Sequence, residues 1–193
     1  MRPRHAAVAL AQFSILSIAC GGRGDNTDSV ARGADQQHPA DSGTAVTRLS
    51  AAMRNAQGQE LGVLTLTQTG AGIQVTGRLA GLIPGEHAIH LHTTGSCDAP
   101  KFESAGGHWN PTNRQHGTKA PGGPHLGDMP NISVGRDSSV TIDVTTPGGT
   151  FRNQNGLLDT DGAAVVIHAK PDDYRSQPSG NAGDRIACGV VES

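Results

Sequence analysis

The sequence predicts an all-β fold, an antiparallel sandwich or barrel of about eight short strands with a long ligand-rich loop and a charged loop. Three observations predict it. Short apolar-alternating segments recur from Thr44 to Val191, separated by Gly- and Pro-bearing turns. Glycine (27) and proline (11) are plentiful in 193 residues, while aromatics make up only 3%. Such a chain turns often and builds its core from Val, Ile, Leu and Ala. No stretch carries the 3.6-residue apolar period of an amphipathic helix.

Taken in order, residues 1–19 read as a targeting segment. Arg2 and Arg4 precede a mostly apolar run from Ala6 to Ala19, short for a membrane span of about 20 residues. The run ends in Ser17-Ile18-Ala19-Cys20-Gly21, which resembles a bacterial lipoprotein cleavage box with Ser in place of the usual Leu. Lipidation at Cys20 is expected, which makes the protein a membrane-anchored lipoprotein of the periplasm or cell envelope. The plainer alternative is an ordinary signal peptide cut nearby, with Cys20 discarded. Residues 20–43 are polar and read as a disordered tether. Its Arg23-Gly24-Asp25 reads as a chance match to an adhesion tripeptide, and His38 is expected to be only solvated.

The domain spans residues 44–193. Its first strand covers 45–53, and Gln57-Gly58 turns the chain. Gly62–Thr67 and Ile73–Leu79 follow, joined by Thr69-Gly70-Ala71-Gly72. Ile83-Pro84-Gly85 leads into His87–His92. Further strands are expected at Asn131–Gly135, Ser139–Thr145, Ala163–His168 and Arg185–Val191. The connections Thr93–Pro130, Pro147–Gly162 and Ala169–Asp184 are long, and long loops in compact domains are usually functional or disordered.

Six of the nine histidines lie between His87 and Asp128. Imidazoles with one carboxylate suit zinc or copper, whereas calcium and magnesium prefer oxygen. His90 and His92 are two apart on a strand, so they share a face and can chelate one metal. His87 is out of register with them and is expected to be a buried residue bonded to backbone. His108, His116, His125 and Asp128 supply a closed tetrahedral set suited to zinc. His168 ends a strand and can add a ligand to the His90/His92 metal. The formal charge of −2 argues against a general nucleic-acid binder, which needs clustered Lys and Arg. Three cysteines are an odd count. With Cys20 lipidated or removed, Cys97 and Cys188 remain as a pair that an exported protein can keep oxidised.

The residues Gly85-Glu86-His87-Ala88-Ile89-His90-Leu91-His92, Gly107-His108-Trp109-Asn110-Pro111, His116-Gly117, His125-Leu126-Gly127-Asp128, Val166-Ile167-His168-Ala169-Lys170-Pro171-Asp172-Asp173 and Gly180–Val190 resemble the copper/zinc superoxide dismutases, specifically the exported bacterial kind. The resemblance runs in order from Thr44 to Val191. It implies an eight-stranded antiparallel Greek-key fold and dismutation of superoxide to oxygen and hydrogen peroxide, with copper on His90, His92, His108 and His168. It implies zinc on His108, His116, His125 and Asp128, with His108 shared as a bridging imidazolate that also relays a proton. Asp172 is then the carboxylate that bonds one ligand of each metal, Arg185 the cation that guides the anion, and Cys97–Cys188 a disulfide. From Thr44 onward there are 11 Lys+Arg against 13 Asp+Glu, so attraction of an anion has to be local: Arg185, the copper, and Lys170, Arg175 or Lys119. Two alternatives stand beside this reading. One is a non-catalytic copper/zinc-binding protein on the same fold. The other is an adhesion or structural domain stapled by zinc, which leaves the His90/His92/His168 set unexplained. For Arg185, the plain alternative is a salt bridge with Asp184.

Overall fold

The computed structural model describes residues 47–193. The targeting segment, Cys20, the tether and the start of the expected first strand lie outside the described residues. Nine strands form among the described residues: β1 (Arg48–Asn55), β2 (Glu60–Gln68), β3 (Ile73–Ala80), β4 (Gly85–His87), β5 (Ile89–His92), β6 (Ile132–Val134), β7 (Ser139–Thr145), β8 (Ala164–His168) and β9 (Arg185–Glu192). The helical content of the described residues is one 3₁₀ turn, Glu103–Ala105. Eight expected strands become nine because the segment His87–His92 divides at Ala88. The Ala88 N–H donates to Lys170 O (2.9 Å), and Ala88 O accepts from the His168 N–H (2.9 Å). β4 therefore pairs with β6, while β5 pairs with β8.

Seven strands form one antiparallel sheet in the order β5-β8-β9-β1-β2-β3-β7, and β4-β6 form a small second ladder. β4 runs through Ala88 into the edge strand β5. β6 runs through a turn closed by Gly135 N–H to Ser139 O (2.9 Å) into the other edge strand, β7. The small ladder thus links the two edges of the large sheet. The chain leaves β3 for the far edge and returns at β7 beside β3, the crossed connection of a Greek key.

Alternation decides what faces inward. Leu49, Ala51 and Met53 of β1 are buried while their neighbours are exposed, and they join Leu64, Leu66, Val75 and Ile142 in the main core. One bulge breaks the period. Met53 pairs with Gly62 but Arg54 pairs with Glu60, which leaves Leu61 extra and buried. Gly62 has φ 138°, and a Cβ there would stand 2.5 Å from Arg78 O, so glycine is required.

β8 is buried at all five positions. Val165 and Ile167 enter the main core, whereas Ala164 and Val166 pack with Phe102, Ala105 and Cys188 in a second cluster. This is why Ala163–Ile167 reads as an unbroken apolar run: a strand covered on both faces has no solvent side to mark. The cover is the first part of the long loop, held by the Cys97–Cys188 disulfide (Cα–Cα 5.7 Å).

Candidate metal centre

The same alternation builds the site. Ile89 and Leu91 of β5 point into the core, so His90 and His92 point to the opposite face. On β8 that face carries Ala164, Val166 and then His168. Since His90 pairs with Val166 and His92 with Ala164, the three histidines project from neighbouring strands under the long loop. The loop reaches them by pairing along the free edge of β5. Trp109 N–H donates to Leu91 O (2.8 Å), Thr93 N–H to Gly107 O (3.0 Å) and Leu91 N–H to Gly127 O (3.0 Å). His108 is thereby bridged to His92, and Asp128 to His90. The sole tryptophan, Trp109, is buried in the core and anchors this return.

His90, His92, His108 and His168 each offer a ligand atom within 4.8 Å of the others. All four side chains are buried, and each has one ring nitrogen without a hydrogen-bond partner: Nδ1 of His90 and Nε2 of His92, His108 and His168. The other nitrogen of each ring is held. His90 Nε2 lies 2.9 Å from Asp172 Oδ2, His92 Nδ1 3.0 Å from Gly106 O, His108 Nδ1 3.0 Å from Asp128 Oδ1, and His168 Nδ1 3.3 Å from Gly183 O. Four buried nitrogens with no protein partner are costly unless something else satisfies them. Four neutral imidazoles would suit a copper ion.

The second group is His108, His116, His125 and Asp128. Nδ1 of His108, His116 and His125 stand 3.0, 3.0 and 3.3 Å from one oxygen, Asp128 Oδ1. The His125 contact is not aligned as a hydrogen bond. Tetrahedral zinc with ligands at about 2.0–2.1 Å spaces them about 3.3 Å apart, so the set fits that ion. The other carboxylate oxygen is aimed by the N–H groups of Gly117 (2.8 Å) and His125 (3.0 Å). A third convergence, His90, His116 and Asp172, is a hydrogen-bonded link. Asp172 Oδ2 meets His90 Nε2, and Oδ1 meets His116 Nε2 at 2.9 Å.

Burial governs the charges. It lowers His90, lowers His92 well below the imidazole range, and takes His108 to about 4 and His168 to about 3. Burial thus favours the neutral ring, the form in which a histidine can bind a metal. Burial alone would also lower His116, but its bonds to Asp128 and Asp172 outweigh that and raise it to about 9. For Asp128 and Asp172, burial opposes ionisation, yet the histidine hydrogen bonds hold both carboxyls well below the usual range.

Arg185 sits opposite His168 in the β8–β9 ladder. Its Nη1 donates to Phe102 O and its Nη2 to Gly106 O, both at 2.6 Å. It makes these two backbone bonds in place of a salt bridge with Asp184. It lines an open depression of about 510 Å³ with Lys101, Glu103 and Gly183. Lys170 and Arg175 are exposed, while Lys119 lies over the Tyr174 ring, 5.2 Å from its centre. His87 is buried with Nδ1 2.8 Å from His168 O and Nε2 2.8 Å from Ile83 O, a backbone-bonded residue outside both groups.

Sequence reasoning missed the carbonyls of Gly106 and Gly183, which orient His92 and His168, because a backbone group leaves no residue signature. It also missed Asp173. Hydrogen bonds from Ser176, Arg175 N–H and Asn181 pull Asp173 down to about 2 and shape the charged loop. An Asp three residues before a Ser was the available signal.

A family model for copper/zinc superoxide dismutase (SODC) matches residues 60–191. The chain is 45% identical over 141 residues to superoxide dismutase [Cu-Zn] 1 of Aquifex aeolicus, covering 72% of this chain and 83% of that one. It is 38% identical over 147 residues to superoxide dismutase [Cu-Zn] of Caulobacter vibrioides, covering 74% and 84%. A crystal structure of a mutant of the SOD-like protein from Bacillus subtilis superposes with TM-score 0.72 at 37% identity, covering 75% of this chain and 97% of that one. The match begins with β2, reaches almost to the end of β9 and contains every donor described above; the chain belongs to the copper/zinc superoxide dismutase family, enzymes that use copper and zinc.

Proposed function

We propose that this protein dismutates superoxide outside the cytoplasm at a copper held by His90, His92, His108 and His168. Zinc would be held by His108, His116, His125 and Asp128, and His108 would be shared between the two sites as an imidazolate. The observation that carries this is the position of His108 in both donor groups. Its Nδ1 faces Asp128 and its Nε2 is among the unpartnered nitrogens.

Copper, when bound, supplies the one-electron cycle in which one superoxide is oxidised to oxygen and another, with two protons, is reduced to hydrogen peroxide; zinc has no redox chemistry of its own. The chain's residues do the rest. Arg185 keeps a guanidinium at the mouth of the site and draws in a small anion. His108 can accept a proton at Nε2 and return it while Nδ1 stays held. Asp172 fixes the ring planes of His90 and His116, one from each group, as carboxylates behind metal ligands do. Phe102 O and Gly106 O fix the guanidinium, and Gly106 O also fixes His92.

The shared imidazolate is tested by loading both sites with copper(II). A bridging ring couples two unpaired spins, so the electron paramagnetic resonance signal should be lost. Two independent copper signals would contradict the bridge. The competing reading, a non-catalytic metal binder, takes its support from the fact that a Bacillus subtilis relative is named only SOD-like. The complete set of four histidines around the copper position favours turnover here.

The site of action rests on the N-terminal sequence. Cys20 is proposed to carry lipid and to anchor the domain to the cell envelope through residues 20–43. Stable anchoring takes more than one acyl chain, at about 0.8 kcal/mol per buried CH₂. Mass spectrometry of the mature protein should find an acylated N-terminus at Cys20, and Cys20→Ser should release the protein from membranes. A mature chain beginning well after Cys20 would end this proposal.

A further inference from the structure

Two amide side chains outside the donor set join the long loop to the charged loop. Gln177, in the charged loop, takes both backbone groups of His116. Its Oε1 accepts the His116 N–H (2.8 Å), and its Nε2 donates to His116 O (3.0 Å) and to Arg175 O (2.9 Å). Asn131, at the end of the long loop, does the same to Asp172. Its Oδ1 accepts the Asp172 N–H (2.9 Å), and its Nδ2 donates to Asp172 O (3.0 Å). A primary amide carries a donor and an acceptor side by side, so each offers a residue what a neighbouring strand would offer. The two clamps are reciprocal, since each loop grips a residue of the other. Between them lies the bond from His116 Nε2 to Asp172 Oδ1, 2.9 Å long.

Further contacts stiffen the same junction. The Asn131 N–H donates to Tyr174 Oη (2.8 Å), the Tyr174 N–H to Asp172 Oδ1 (2.6 Å), and the Lys119 N–H to Tyr174 O (2.9 Å). Gly117, next to His116, packs so tightly against Tyr174 that a Cβ there would overlap its carbonyl.

We propose that Gln177 and Asn131 are positioning residues that hold the His116–Asp172 hydrogen bond, and through it set both zinc affinity and the orientation of His90. The inference rests on the reading that His116 binds zinc. Neither amide lies in a donor group, so their effect must pass through His116 and Asp172. Asp172 also holds His90, which carries the effect to the copper side.

The test uses the full-length protein and the variants Gln177→Met and Asn131→Leu, which keep bulk and lose the clamp. Gln177→Glu and Asn131→Asp keep size and the acceptor but lose the donor, and serve if the first pair folds poorly. Zinc affinity is read by chelator competition, and the copper site by paramagnetic resonance of copper(II)-loaded protein. Removing a group that orients a metal ligand typically lowers affinity about 10–100-fold. Each apolar variant should show a loss of that size together with a shifted copper signal, and the acidic variants should fall between. The double variant should lose less than the product of the single losses, because both act on one bond. Variants that melt earlier but keep wild-type zinc affinity and copper signal would overturn the inference. A wild-type chain that takes up no zinc would overturn the zinc assignment together with it.

Discussion

Arg185 directs its two terminal nitrogens to backbone carbonyls and makes no direct ion pair with Glu103 or Asp184, which line the same depression. Arg185→Glu should therefore leave copper and zinc near one each, since no donor atom is lost, while dismutation falls about 10- to 1000-fold. Arg185→Lys keeps the charge but cannot reach both carbonyls, and should fall between. Full activity in the Glu variant at normal copper loading would remove Arg185 from the mechanism. His168→Ala acts on the metal instead: copper retention should fall while zinc stays, as read by metal analysis. The histidine charges predict the behaviour of the metal-free protein. An unfolded chain protonates its imidazoles near pH 6.5, but buried His108 and His168 resist to about 4 and 3. Between those values the unfolded state binds more protons, so stability falls as pH drops through that window. His116, raised to about 9, does the reverse. Its contribution is complete below about pH 6.5 and is lost as pH rises through 9. Melting of metal-free protein, followed by Trp109 fluorescence, should peak near neutrality; a midpoint that keeps rising as pH is lowered to 5, or as pH is raised to 9, would contradict these environments.

At the scale of elements, the loops depend on a few fixed points. The Cys97–Cys188 bond closes 91 positions, for which the chain-entropy model gives roughly 4–5 kcal/mol. Cys97→Ser should lower the melting temperature and loosen the segment whose Phe102 and Gly106 carbonyls hold Arg185, so activity should fall more than copper content. Unchanged stability in that variant would remove the bond from this account. Gly180 is a second fixed point. It has φ 67°, and a Cβ there would fall on Asp172 Oδ1 and 2.6 Å from His116 Nε2. Gly180→Ala should displace Asp172 and weaken zinc retention, at a backbone cost of about 1–2 kcal/mol. Much of this level was legible in the sequence. Alternation placed Ile73–Leu79 and Ser139–Thr145 on strands, and period two put His90 and His92 on one face. The division at Ala88 was not legible, because it depends on bonds to Lys170 and His168 eighty residues away. The clamps of Gln177 and Asn131 were hidden for the same reason: an amide aimed at a distant backbone looks like any polar loop residue.

For the whole molecule, the strand order explains how one loop can bring both donor groups together. β5 is an edge strand, so its free side can take Trp109 and Gly127 as partners. That pairing sets His108 and Asp128 beside His92 and His90. The described domain has little net charge to spare, so a small anion must be drawn by the local field around Arg185, which salt screens over about 10 Å at 0.1 M. The wild-type rate should therefore decline as ionic strength rises, and a rate indifferent to salt would argue against steering. The most direct measurement for the account is metal stoichiometry and superoxide turnover on the same reconstituted preparation of the wild-type chain. One copper and one zinc per chain, with dismutation that tracks copper content, is the predicted result. Full loading with both metals and no turnover would contradict it and leave a metal-binding protein on this fold.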